Sequence, residues 1–276
     1  MRQRGCMMTP MTSTTDIRDG NFDGCADGEM ASWAQVDEFS SSMPESYRVL
    51  FDPRAMRRHY GIVTRRGLHV AHAEIWRVLP DRSAALCVVA EDRPGLLSAI
   101  AAALVSHGLD VITALAFSRM NRALDRSEAV DLLWVRRTNP ADTTTLGATE
   151  ATSIVAVLAA ILEGRLSVED IAACTADPGR CSGTVTSVRF DDMDEDGRAV
   201  LIVEAPDRTG MLLTIALHVF LQGAQIARSL VRTVGQRAYN RFQLVERDGQ
   251  PLSLQRREQI RLAVYASLTS RPGIHP

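Results

Sequence analysis

The chain has 276 residues and a formal net charge of -2, a near balance that excludes a nucleic-acid coat or a polybasic membrane binder. Its length suits two small domains or one large one, and a 46% apolar content is enough to build real cores. All 31 basic side chains are Arg and none is Lys, which excludes a Schiff-base lysine and the Walker-type phosphate loop.

Residues 1–43 are rich in Ser, Thr, Asp, Gly and Met, without sustained periodicity, and are expected to be a disordered tail. Residues 44–80 form a lead-in. Within it YRVLF reads as a short strand, and Asp52-Pro53 as the cap and first turn of a helix running through Met56, His59 and Tyr60. Residues 67–79 alternate imperfectly, Asp81-Arg82-Ser83 reads as a turn, and SAALCVVA follows as a continuous apolar strand. This predicts an antiparallel hairpin whose second strand is buried on both faces.

An internal repeat follows. LCVVAEDRPGLLSAIAAALVSHGLDVITALAFSR, from Leu86, matches LIVEAPDRTGMLLTIALHVFLQGAQIARSLVRTV, from Leu201. Asp92 aligns with Asp207, Arg93 with Arg208, Gly95 with Gly210, Gly108 with Gly223 and Leu115 with Leu230. Each copy predicts a buried strand, an acidic turn (D-R-P-G or D-R-T-G), an amphipathic helix ending at Gly108 or Gly223, two strands and a closing helix. The closing helices are expected at 148–162 and 254–268.

This order is that of the α+β, ferredoxin-like βαββαβ unit. The first unit is expected over 81–191, with TVTSVRF (184–190) as its last strand, and the second over 197–270. Only Thr269 to Pro276 remains for the second unit's last strand, and it carries two prolines. The second unit is therefore expected to lack its own last strand, the vacancy being filled either by Val70 to Leu79 in cis or by another chain.

The acidic turns carry the chemistry. A helix start offers unpaired N–H groups and the positive end of a dipole to a carboxylate, and an adjacent Asp suits an ammonium. The candidate ligand-binding residues are Asp92, Arg93, Pro94, Gly95 and Leu96, with Asp207, Arg208, Thr209, Gly210 and Met211. The same residues also make a purely structural cap, with Asp92 capping and Gly95 packing the helix close to the sheet. A side chain at Gly95 or Gly210 is expected to block the ligand carboxylate, and Gly210→Asp to remove binding at little cost in stability.

Other motifs are absent. The chain has no H-D pair, no G-S-x-x-D-x-D run and no G-x-S-x-G. His69 and His72 fall on opposite faces of a strand, which speaks against a metal pair. The acidic run from Asp191 to Gly197 lacks the spacing of a calcium loop and reads as a hairpin turn. The five cysteines fit no zinc or disulfide framework. They read as reduced thiols of a cytoplasmic protein, with Cys87 in a core. The longest apolar run, Ser153 to Leu162, is about half the length of a membrane span.

The paired D-R-P-G and D-R-T-G units resemble tandem ACT domains, small regulatory modules that bind amino acids. The run from VRFDDMDEDG to RDGQPL resembles the second ACT domain of the bifunctional PII uridylyltransferase/uridylyl-removing enzymes. YRVLFDPRAMRRHYGIV resembles the stretch before their first ACT domain. The resemblance implies a sensor region without the family's nucleotidyltransferase and phosphohydrolase domains, whose motifs are missing here. It implies a non-enzymatic, cytoplasmic regulatory protein of nitrogen or amino-acid metabolism, without cofactor or metal. Its ligand would be a small amino acid, with glutamine as first candidate. Its protein partner would be a second copy or another enzyme, bound through the sheets; neither nucleic acid nor membrane is implied. The alternatives are an interaction module without a metabolite, and a remnant of the uridylyltransferase.

Overall fold

The computed structural model describes residues 32–122, 124–175, 185–191, 193–194 and 197–269. Before the sheet lie three helices, α1 (Trp33–Ser42), α2 (Glu45–Leu50) and α3 (Pro53–Arg66). The first half continues with β1 (Ala71–Val78), β2 (Ala84–Glu91), α4 (Leu96–Val105), β3 (Leu109–Asn121), β4 (Arg126–Arg137), α5 (Ala148–Leu162) and α6 (Val168–Thr175). The second half comprises β5 (Ser187–Asp191), β6 (Ala199–Pro206), α7 (Met211–Leu221), β7 (Ala224–Val234), β8 (Arg237–Glu246) and α8 (Leu254–Thr269).

All eight strands join one antiparallel sheet in the order β1-β2-β4-β3-β7-β8-β6-β5. The halves meet along β3 and β7, where Leu115 pairs directly with Leu230. These are the aligned residues of the repeat. Antiparallel pairing of equivalent strands at equivalent residues places an approximate two-fold axis through this pair. The helices obey it: α4 packs on α7, α5 covers β1 and α8 covers β5.

The fourth strand of each half departs from expectation. Ser187–Asp191 does not return to the first half; it pairs with β6, Val188 opposite Val203. The first half's fourth place is taken by β1, paired with β2, so the segment at 70–79 does not fill the second half's vacancy. The reason is loop closure. In each half the strand lies immediately before its neighbour, and a short hairpin costs less chain entropy than a return across a helix and a long loop. At the second hairpin, Asp194 accepts from Arg198 N–H at 2.7 Å, and Gly197 adopts φ +72°.

The lead-in also differs. The expectation of disorder through residue 43 is overturned over 33–42, because Trp33–Ser42 is helical. Ser32 and Gln35 form a reciprocal capping box at its start. YRVLF is not a strand either: its first four residues are helical, within Glu45–Leu50, and Phe51 is the C-cap. Val36, Phe39, Met43 and Tyr47 recur at helical spacing and are all buried. They cover the sheet face opposite α4 and α5, with Val89, Leu115, Phe117, Val130 and Leu132 beneath them. Hence β2 is buried on both faces: Leu86 and Val88 face α4 and α5, while Ala85, Cys87 and Val89 face α1–α3. Residues 1–31 lie outside the described part.

Candidate functional site

Both acidic turns adopt one geometry. Gly95 and Gly210 occupy the N-cap positions of α4 and α7 with φ +84° and +73°, a left-handed conformation that favours glycine. Asp92 N–H donates to Ser127 O at 3.0 Å, and Asp207 N–H to Gln236 O at 2.9 Å. The two arginines have a common structural task. Arg93 donates to Leu162 O at 2.7 Å, and Arg208 to Ser267 O at 3.1 Å, so each neutralises the carbonyl end of its half's closing helix. Pro94 is exposed, Thr209 is half-buried, and Leu96 and Met211 are buried.

Each turn faces the other half of the molecule. The first lies against the end of α7 and the start of β7, where a cleft opens. It is lined by Asp92, Gly95, Leu96, Asp131, Phe220 and Gln225, among others, and encloses about 30 Å³ open to a water-sized molecule. That is room for about one water. The Phe220 ring closes it: a β-carbon on Gly95 would lie 3.0 Å from the ring. Arg247 stacks over the ring, 4.8 Å from its centroid, and donates to Phe220 O at 3.1 Å.

Asp131, which the turn motif does not include, is the chemical centre of this cleft. It lies in β4, on the face it shares with Ala129 and Leu133, and is 3% exposed. Burial, and then the neighbouring Asp92 charge, push its carboxyl well above the usual carboxylate range, against a hydrogen bond from the Phe117 backbone. A cation placed between the two carboxyls would relieve that repulsion.

The second turn is filled differently. Asp110 reaches over from β3 and accepts from Gly210 N–H at 3.3 Å. Arg136 Nη2 bridges Asp110 at 3.1 Å and Asp207 at 2.6 Å. Burial and the nearby Asp207 raise the Asp110 carboxyl, opposed by Arg136 and the Gly210 N–H.

The structure therefore gathers the ten sequence candidates into two separate places, five at each turn. Sequence reasoning missed Asp131, Phe220, Asp110 and Arg136. One signal was present: Asp131 interrupts the apolar run AVDLLWV. Among the described residues no cluster of three or more His, Cys, Asp or Glu is arranged to hold a metal ion, and no helix is long and apolar enough to cross a membrane.

Comparison with known proteins points in one direction. A bifunctional uridylyltransferase/uridylyl-removing enzyme of Xanthomonas oryzae pv. oryzae is 27% identical over 238 residues, 85% of this chain and 26% of the relative. The enzyme of the same description from Xanthomonas campestris pv. campestris is 25% identical over 237 residues, with the same coverage. That of Nitrobacter winogradskyi is 26% identical over 163 residues, 58% of this chain and 17% of the relative. The chain thus spans about a quarter of the length of the Xanthomonas relatives. No family model matches it, and no solved structure does.

Proposed function

We propose that this chain is a non-catalytic regulatory protein, built of two ACT-type units, that senses a small free α-amino acid. The observation that carries the reading is the inter-half cleft. There the N-terminus of α4 and the buried Asp131 face one space, with Asp92 beside them. An α-carboxylate suits the helix N–H groups, and an α-ammonium suits Asp92 and Asp131. The likeness to a quarter of the uridylyltransferase/uridylyl-removing enzymes supports a regulatory rather than catalytic role, and a place in nitrogen or amino-acid metabolism in the cytoplasm. Glutamine is the first candidate ligand, by resemblance alone.

The cleft has room for about one water, so an amino acid enters only when the Phe220 ring leaves Gly95. Phe220 belongs to the half opposite the turn. Binding therefore acts on the end of α7 and on the junction of the halves, which is how it would change affinity for a partner.

A thermal-shift screen of the twenty amino acids tests this. A ligand at about 100 times its dissociation constant adds about 2.7 kcal/mol to native stability. For a folded region of this size that moves Tm by several degrees, at roughly 2–4 °C per kcal/mol. At least one amino acid is expected to give such a shift; none doing so rejects the reading. A second reading, a docking module without metabolite, is favoured by the outer sheet face of the second half. Leu230, Val234 and Tyr239 are exposed on it.

A further inference from the structure

The two turns share a backbone, but their surroundings differ at three matched positions. Asp110 lies opposite Arg136 across β3 and β4, and the matching cross-strand pair of the second half is Gln225 with Val245. The third position lies beneath the turns: Asp131 pairs with Val88 as Asn240 pairs with Val203. Thus an acid and a base reach the second turn where the matching positions hold an amide and an aliphatic residue, of which Gln225 lines the cleft at the first. An acid lies under the first turn where an amide lies under the second.

At the second turn these groups complete a specific set of contacts. The Asp110 carboxylate accepts from the Gly210 N–H that caps α7, at 3.3 Å. The Arg136 guanidinium sits on the Asp207 carboxylate at 2.6 Å, and on Asp110 itself at 3.1 Å. A carboxylate on the helix start and a cation on the turn aspartate are the two contacts a bound zwitterion would make. Asp110 and Arg136 supply both from within the chain, with one guanidinium shared between two carboxylates. At the first turn no such pair exists. Arg93 also lines that cleft but is held by Leu162 O, and Asp92 and Asp131 face it with no ion pair to either among the described residues.

We infer that the Asp207–Met211 turn is permanently self-liganded by the Asp110–Arg136 pair, so that the chain binds one α-amino acid, at the Asp92–Leu96 turn, with Asp131 taking its ammonium. This rests on the amino-acid reading above and makes the two halves unequal: one senses, the other holds the junction shut. Asp131 is then a specificity residue. It demands a free ammonium and rejects ligands whose amine is acylated.

Isothermal titration of the full chain with each of the twenty L-amino acids, and with the N-acetyl derivative of any that binds, tests the inference. The wild type is expected to bind one equivalent of the free amino acid and none of the N-acetyl form. Asp131→Asn is expected to weaken binding roughly 10- to 100-fold, with Tm lowered little if at all, since Asn240 occupies the matching position. Asp110→Ala/Arg136→Ala is expected to expose a second, weaker equivalent, and Asp110→Asn serves if that variant does not fold. Two equivalents in the wild type, or full affinity in Asp131→Asn, would overturn the inference and leave the amino-acid reading standing. No heat with any amino acid overturns both.

Discussion

The first half of the molecule is covered on both faces of its sheet, the second on one. In the first, α1–α3 lie over Val89, Leu115, Phe117, Val130 and Leu132. In the second, the matching face exposes Leu230, Val234 and Tyr239 beside Arg232 and Arg241. The strands record the difference. β2 is buried along nearly its whole length, whereas β6 alternates, with Leu201 and Val203 inside and Ile202 and Glu204 half-exposed. The repeat thus encodes the scaffold, and the unrepeated residues decide what each copy touches.

The comparison breaks most easily at the covered face. Tyr47 is fully buried, stacked edge-on against Phe39 and Phe117, and its hydroxyl meets His59 Nδ1 at 2.8 Å. Tyr47→Ala is expected to cost about 3–5 kcal/mol. Tyr239→Ala, on the bare face, should stay within about 0.5 kcal/mol. Urea unfolding of the two variants measures the contrast, and equal losses would deny it.

Acid should also act on the covered face. Burial, with Arg58 nearby, lowers the His59 imidazole to about 3 from 6.5. Between those values the unfolded chain binds a proton that the folded chain refuses. Stability therefore falls as pH falls from about 6.5 toward 3, by up to about 1.4 kcal/mol per pH unit from this group. His59→Gln is expected to flatten that part of a stability–pH profile.

The turn glycines sharpen the comparison. Both have positive φ, so neither accepts a side chain freely, and Gly→Asp is costlier than the turn sequence alone implies. A β-carbon at Gly95 meets the Phe220 ring at 3.0 Å, whereas at Gly210 the nearest atom is Val105 Cγ2 at 4.0 Å. Gly95→Ala is expected to cost about 2–4 kcal/mol and Gly210→Ala about 1–2 kcal/mol, by thermal unfolding. Arg136→Gln should cost less than either glycine substitution. Arg136 is 43% exposed, so losing its ion pairs should cost about 1 kcal/mol and the loss should shrink in high salt.

Local signals were legible in the sequence. The repeat marked both turns, but the cap expected at Asp92 falls instead on Gly95, and on Gly210 in the second copy, because the left-handed glycine is the residue that precedes the first helical turn. The imperfect alternation at 67–79 followed by SAALCVVA gave the β1–β2 hairpin, and the closing helices fall at Ala148–Leu162 and Leu254–Thr269. What was hidden is tertiary. The stripe Val36, Phe39, Met43, Tyr47 is thinly spread through a Ser- and Glu-rich stretch and gains meaning only against the sheet. The place of Ser187–Asp191 depended on a choice between two half-sheets that strand patterning leaves open. The Asp110–Gly210 contact joins residues 100 apart, and no local pattern announces it.

The central claim is that a ligand seats between the halves, with the Asp92–Leu96 turn on one side and the end of α7 on the other. Hydrogen–deuterium exchange, with and without the amino acid that most raises Tm, tests it directly. The account predicts added protection in two segments at once, 92–98 and 218–227, and little change at 207–213. Protection at 207–213 in place of 92–98, or at one side of the cleft alone, would contradict it.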